Sequence, residues 1–112
     1  MANQVIYSSV FIRKAKALKK RHISLVDDLK DLERSLIANP VQGDNLGSGL
    51  YKVRLAVTSK GKGKSGGYRV ITYLISNIDG NTAINMLTIY DKTDESSIDK
   101  KFLVNLLKNL FP

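Results

Sequence analysis

The sequence predicts an α+β fold in the order β-α-α-β-β-β-α, an antiparallel sheet with a helical hairpin and a C-terminal helix packed on it. Three observations predict it. Apolar residues recur at helical spacing up to Pro40, alternate with a period of two from Tyr51 to Tyr90, and return to helical spacing from Ile98. No repeat, low-complexity tract or Pro/Ser-rich linker divides the chain, and 112 residues suit one domain, so residues 1–112 are read as a single unit.

Gln4 to Tyr7 is a short β-type run, after which Ser8 or Ser9 can cap a helix with Phe11, Ala15 and Leu18 on one side and Arg13, Lys14, Lys16, Lys19, Lys20 and Arg21 on the other. A second helix begins at Ser24, where Ser24-x-x-Asp27 resembles a capping box with a shorter acid. Leu25, Leu29, Leu32 and Leu36 mark its buried stripe. Asn39-Pro40 ends it, because the residue before proline avoids helical geometry. The His22-Ile23 link makes the two helices an antiparallel pair.

The stretch from Val41 to Gly49 reads as turn, and three strands follow. In the first, Tyr51, Val53, Leu55 and Val57 alternate with Lys52, Arg54, Ala56 and Thr58. The second, Tyr68 to Ile75, is apolar on both faces and so central. A turn at Asn77 to Asn81 leads to the third, Ala83 to Tyr90. The last helix carries a stripe of Ile98, Phe102, Leu106 and Leu110 with Leu103 and Leu107.

Composition restricts the chemistry. The chain has no cysteine and one histidine, which excludes disulfides, thiolate metal sites and zinc clusters, and no metal or small-molecule cofactor is expected. No run approaches the about 20 apolar residues of a membrane span. With no secretory leader in view, a cytoplasmic location and no membrane partner are expected. Eighteen Lys+Arg against ten Asp+Glu leave a formal charge of +8, which points to a polyanionic partner such as nucleic acid.

The charge is concentrated. Residues 51–75 contain Lys52, Arg54, Lys60, Lys62, Lys64 and Arg69 and no acid. Lysines set between glycines suit contacts to phosphates without fixing sequence. The bland alternative is a solvated loop whose lysines discourage edge-to-edge aggregation. Lys52 and Arg54 share a strand face that a hairpin partner can bring near Arg69, and Tyr68, Tyr73 and Tyr90 offer rings for base stacking or, taken singly, for the core. Gly61-x-Gly63-x-x-Gly66 and Gly63-Lys64-Ser65 echo nucleotide-binding loops, but both motifs need a helix directly afterwards, and here a strand follows. His22, at a helix junction, reads as a capping or surface residue. Asp27, Asp28, Asp31 and Glu33 read as a solvated helix face, and Asp91, Asp94, Glu95 and Asp99 as anions at the start of the last helix.

Three segments carry a family resemblance: Gly49-Leu50-Tyr51-Lys52-Val53-Arg54, Gly61-Lys62-Gly63-Lys64-Ser65-Gly66-Gly67-Tyr68-Arg69-Val70-Ile71, and Leu87-Thr88-Ile89-Tyr90-Asp91-Lys92. Together they resemble the RelE/ParE toxin superfamily, in particular its HigB-like branch, over nearly the whole chain. The resemblance implies a RelE-like sheet and the toxin of a type II toxin–antitoxin module with a cognate antitoxin. For the RelE and HigB kinds it implies an mRNA endonuclease acting with the ribosome, and for the ParE kind an inhibitor of DNA gyrase. Carried over residue by residue, it implies that Lys52, Arg54, Arg69 and Lys92 are the basic site positions. Lys60, Lys62, Lys64 and Tyr68 would then be RNA contacts. Where RelE has a functional tyrosine near the start of the last helix this chain has Ile98, which leaves Tyr90 as the nearest substitute and the candidate catalytic tyrosine.

Metal-independent cleavage by attack of a ribose 2′-hydroxyl on the adjacent phosphate needs a base, an acid for the leaving group and a cationic grip on the phosphorane. Lys52 is the candidate base, and Arg54 and Arg69, with their planar bidentate donors, are the candidate stabilisers. Three functions follow as expectations: a ribosome-dependent mRNA interferase, a gyrase inhibitor that needs no catalytic basic cluster, and a non-catalytic nucleic-acid-binding domain.

Overall fold

The computed structural model describes residues 3–58, 67–77, 79–92 and 98–111. The chain runs through β1 (Gln4–Tyr7), α1 (Ser9–Lys19), α2 (Leu25–Ala38), β2 (Asp44–Gly47), β3 (Leu50–Leu55), β4 (Tyr68–Ser76), β5 (Thr82–Asp91) and α3 (Lys100–Leu110). One five-stranded sheet has the order β1-β5-β4-β3-β2. Strands β2 to β5 form an antiparallel meander, as the alternating pattern predicts, and β1 adds a parallel edge beside β5.

The structure adds a strand where the sequence reads as turn. Asn45 accepts the Gly47 N–H on its side-chain oxygen at 2.8 Å. Gly47, Ser48 and Gly49 all take positive φ (86°, 57° and 83°), so the chain reverses there and lays Asp44–Gly47 against β3. Just before β2, Gly43 has φ +88°, and a Cβ on it would lie 2.2 Å from the Lys52 carbonyl oxygen.

Helix α1 starts where expected. Ser8 accepts the Phe11 N–H on its hydroxyl at 3.0 Å and donates the hydroxyl to the Leu87 carbonyl at 2.8 Å, so one side chain caps the helix and ties it to β5. Ser24 differs from its predicted capping role. It makes no cap bond, because its hydroxyl donates instead to Asp28 at 2.8 Å. All four stripe leucines of α2 are buried, and Asn39 ends the helix in extended geometry.

The sheet is covered on both faces. The hairpin α1–α2 packs Phe11, Leu25, Leu29, Leu32 and Leu36 onto Val53, Leu55, Tyr68, Val70, Ile84, Met86 and Ile89. Helix α3 packs Leu103 and Leu106 onto Leu50, Ile71, Leu87 and Tyr90. Its buried stripe is narrower than the sequence suggests: Phe102 is 46% exposed, and Ile98 precedes the helix. Opposite Ile71 and Thr72 the register skips Leu87, a bulge that brings Leu87 and Thr88 to the α3 face together. At the far edge Tyr7 donates its hydroxyl to Glu33 at 2.7 Å, and burial first, then this acceptor, pushes its pKa well above the ordinary tyrosine range.

Two stability outcomes test this packing in urea unfolding. Leu25→Ala, at a fully buried position, is expected to cost about 2–5 kcal/mol, whereas Val26→Ala beside it, at 43% exposure, is expected to stay within about 0.5 kcal/mol of the parent. Gly43→Ala is expected to destabilise by more than about 1 kcal/mol, since it adds both an unfavourable φ and a collision with backbone.

Candidate nucleic-acid interface

Register alone assembles the basic site. Arg54 on β3 lies directly opposite Arg69 on β4, which lies directly opposite Tyr90 on β5. Opposed residues in a sheet point to the same face, so Arg54, Arg69 and Tyr90 form one row on the α3 face. Lys52, two residues before Arg54, joins the adjacent row with Ile71 and Thr88. Four of the predicted site residues therefore share one surface.

They differ in depth. Arg54 is exposed and Lys52 half-buried, whereas Arg69 and Tyr90 are 4% and 3% exposed. Arg69 donates from Nη1 to the Tyr68 carbonyl at 3.2 Å. Beside Lys52, register places Asp44 on β2, so the acid-free stretch acquires a carboxylate neighbour that its own sequence does not contain. A hollow of about 200 Å³ lies here, lined by Gln42, Gly43, Asp44, Lys52, Val53 and Arg54. Arg54 also borders a second polar hollow of about 360 Å³ that reaches Asp28 and Thr58. A further hollow, of about 400 Å³, lies between α1 and α2 on the other side of the sheet. Its lining combines apolar Phe11, Ala15, Leu25 and Leu29 with Tyr7, Lys16, Lys19, Lys30 and Glu33, away from the arginine row.

The remaining expected residues are scattered. Lys92 is exposed just past β5, and its backbone N–H continues the ladder to the Gly67 carbonyl at 3.2 Å. Tyr68 is fully buried on the hairpin face, with its hydroxyl 2.6 Å from His22 Nδ1, so its ring faces the core and offers no surface for a base. Alternation explains this: Tyr68 neighbours Arg69 and must point the opposite way. Lys60, Lys62 and Lys64 lie outside the described residues.

Sequence reasoning missed the groups that surround the row. Asp91 is the last residue of β5 rather than part of the helix start, is 1% exposed, and receives Arg21 at 3.5 Å. His22 is an internal partner of Tyr68 rather than a cap. Asp28, half-buried, accepts both the N–H and the hydroxyl of Thr58, at 3.0 and 2.8 Å, in addition to its contact with water. Asp99 does sit at a helix start, capping α3 through the Lys101 N–H at 3.0 Å. Among the described residues no group of three or more His, Cys, Asp or Glu side chains is placed to hold a metal ion, and no helix is long and apolar enough to cross a membrane.

Residues 3–109, nearly the whole chain, match the family model described as the RelE toxin of the RelE / RelB toxin-antitoxin system.

Arg54 is exposed, so Arg54→Gln is expected to leave stability within about 0.5 kcal/mol of the parent. If the row meets RNA, the same variant is expected to bind it more weakly, with a shallower salt dependence. Urea unfolding and RNA titrations across a salt series measure both; unchanged RNA affinity in Arg54→Gln would remove Arg54 from the interface.

Proposed function

The chain belongs to the RelE toxin family, and from that premise and the basic row we propose that it cuts mRNA in company with the ribosome, as a metal-independent endonuclease that inhibits translation in the cytoplasm. It is the toxin of a toxin–antitoxin system, and its partner is an antitoxin protein. The observation that supports cleavage is the Arg54–Arg69–Tyr90 row with Lys52 beside it: a concentrated cationic surface on rigid strands, next to an open polar hollow. A gyrase inhibitor acts by binding protein and has no need of such a row.

In the proposed reaction, Lys52 takes the proton from a ribose 2′-hydroxyl. The 2′-oxygen bonds to the adjacent phosphorus, and the bond to the 5′-oxygen breaks. Lys92, exposed at the end of β5, supplies the proton to the departing 5′-oxygen. The products are a 2′,3′-cyclic phosphate and a 5′-hydroxyl. Arg54 meets the phosphate directly from its exposed position, and Arg69 strengthens the positive field from beneath, where poor screening makes a fixed charge most effective. Tyr90 packs at the end of the row and keeps Arg69 in line. Lys60, Lys62 and Lys64 would extend the contacts along RNA phosphates. An acidic antitoxin segment would neutralise the same surface.

Mapping new RNA 5′ ends across the transcriptome minutes after induction in a bacterial host tests this reading, with an Arg54→Ala/Arg69→Ala double variant alongside. The expected result is new ends inside translated frames, in phase with codons, and absent from the double variant. Growth arrest without new ends would overturn cleavage and favour gyrase inhibition. Salt-sensitive RNA binding without cutting or arrest would favour a passive binding domain.

A further inference from the structure

At the end of the sheet that presents Arg54, Arg69 and Tyr90, the strands are held from the hairpin side. Beyond the arginine row the last register row is Leu55–Tyr68–Asp91, facing the hairpin. Each of the three strands is gripped there by a different residue of one short segment. Arg21 reaches Asp91 at the end of β5 (3.5 Å). His22 meets Tyr68 at the start of β4 (2.6 Å), with its ring edge-on to the tyrosine at a centroid separation of 5.5 Å. Asp28 takes the backbone N–H and hydroxyl of Thr58, three residues past the end of β3. Ser24 completes the set by donating to Asp28 at 2.8 Å.

We infer that the segment from Arg21 to Asp28 is a brace that sets the spacing of the site residues on the opposite face of the sheet, and that Arg21, His22 and Asp28 are positioning residues for cleavage. None of the three belongs to the row; they act through Asp91, Tyr68 and Thr58. Each of these is one to four residues from a site residue in sequence: Asp91 lies between Tyr90 and Lys92, Tyr68 precedes Arg69, and Thr58 follows Arg54 by four. Asp91 and Tyr68 pass such a restraint along their own strands to the adjacent site residues, and Thr58 passes it through the short link that joins it to β3. Misplacement of a reacting group by about 1 Å can cost about a hundredfold in rate, so the brace acts on the chemical step more than on RNA affinity. The segment lies outside the part of the chain that the charge pattern singles out, and each contact spans 30 or more residues in sequence or leads from one that does.

The inference rests on the proposed nuclease reading, and the test separates the two. Arg21→Met, His22→Phe and Asp28→Ala are compared with the parent on ribosomes programmed with a defined mRNA, with Arg34→Ala as control because Arg34 pairs on the surface with Asp31 alone of the acids described. The expected result is a kcat at least tenfold lower in each brace variant and a KM within about threefold of the parent. Arg21→Lys and Asp28→Asn should recover most of the rate, and Arg34→Ala should leave it unchanged. Retention of kcat, or a fall in kcat and KM together with the thermal midpoint, would overturn the brace. The Arg69 Nε–Hε signal and the amide signals of Arg54 and Tyr90 in nitrogen-15 spectra give a readout independent of cleavage. They should move in the brace variants and stay fixed in Arg34→Ala, and their failure to move would overturn the inference. A parent protein that cuts nothing would sink the nuclease reading alone, with the spectra still deciding the brace.

Discussion

Two guanidinium groups face each other across β3 and β4, one exposed and one buried, and most of the architecture can be understood as what keeps them there. A sheet does not choose this pairing for its own stability, because opposed like charges work against the ladder. The pair is retained by a fold that covers both faces: α3 buries the row's inner end around Tyr90, and the helical hairpin anchors the strand ends from behind. The row thus sits on strands held from both faces, and its positive charge would attract a polyanion.

Depth would divide the work within the proposed site. An exposed arginine is mobile and screened, good for first contact with phosphate but weak in water. A buried one is fixed and poorly screened, and its field is strong but short of reach. Placing Arg54 and Arg69 side by side on adjacent strands combines the two behaviours at one spot, and strand geometry supplies the rigidity that a loop of lysines would lack.

Much of the fold is legible in the sequence because periodicity carries it. The α2 leucines, the alternating β3 and the doubly apolar β4 all emerge from spacing alone, and the three site cations on β3 and β4 come from charge density on that pattern. What stayed hidden were relations between distant residues. Asp28 looks like any helix-surface acid until Thr58 is beside it, and Asp91 looks like a helix-start anion because Asp94, Glu95 and Asp99 follow it closely. Tyr68 departs from expectation for another reason. As the neighbour of Arg69 in a two-residue period, it had to lie on the other face, so the strand alternation already argued against stacking a base on it. The short strand β2 was masked by glycine, since turn-forming residues on its C-terminal side lend the whole stretch the look of a loop.

The bond from Ser8 to Leu87 spans 79 positions, and β1 rests along β5 over a similar distance. Contacts of such range form late, because the intervening chain must first be closed into a loop. During synthesis β1 has no lasting place to dock until β5 has emerged, and the helices that follow β1 cannot seat fully on a sheet still missing its middle. The row that ends in Tyr90 is therefore completed only when β5 joins the sheet, so the order of strands makes it a late product of folding rather than a piecemeal one.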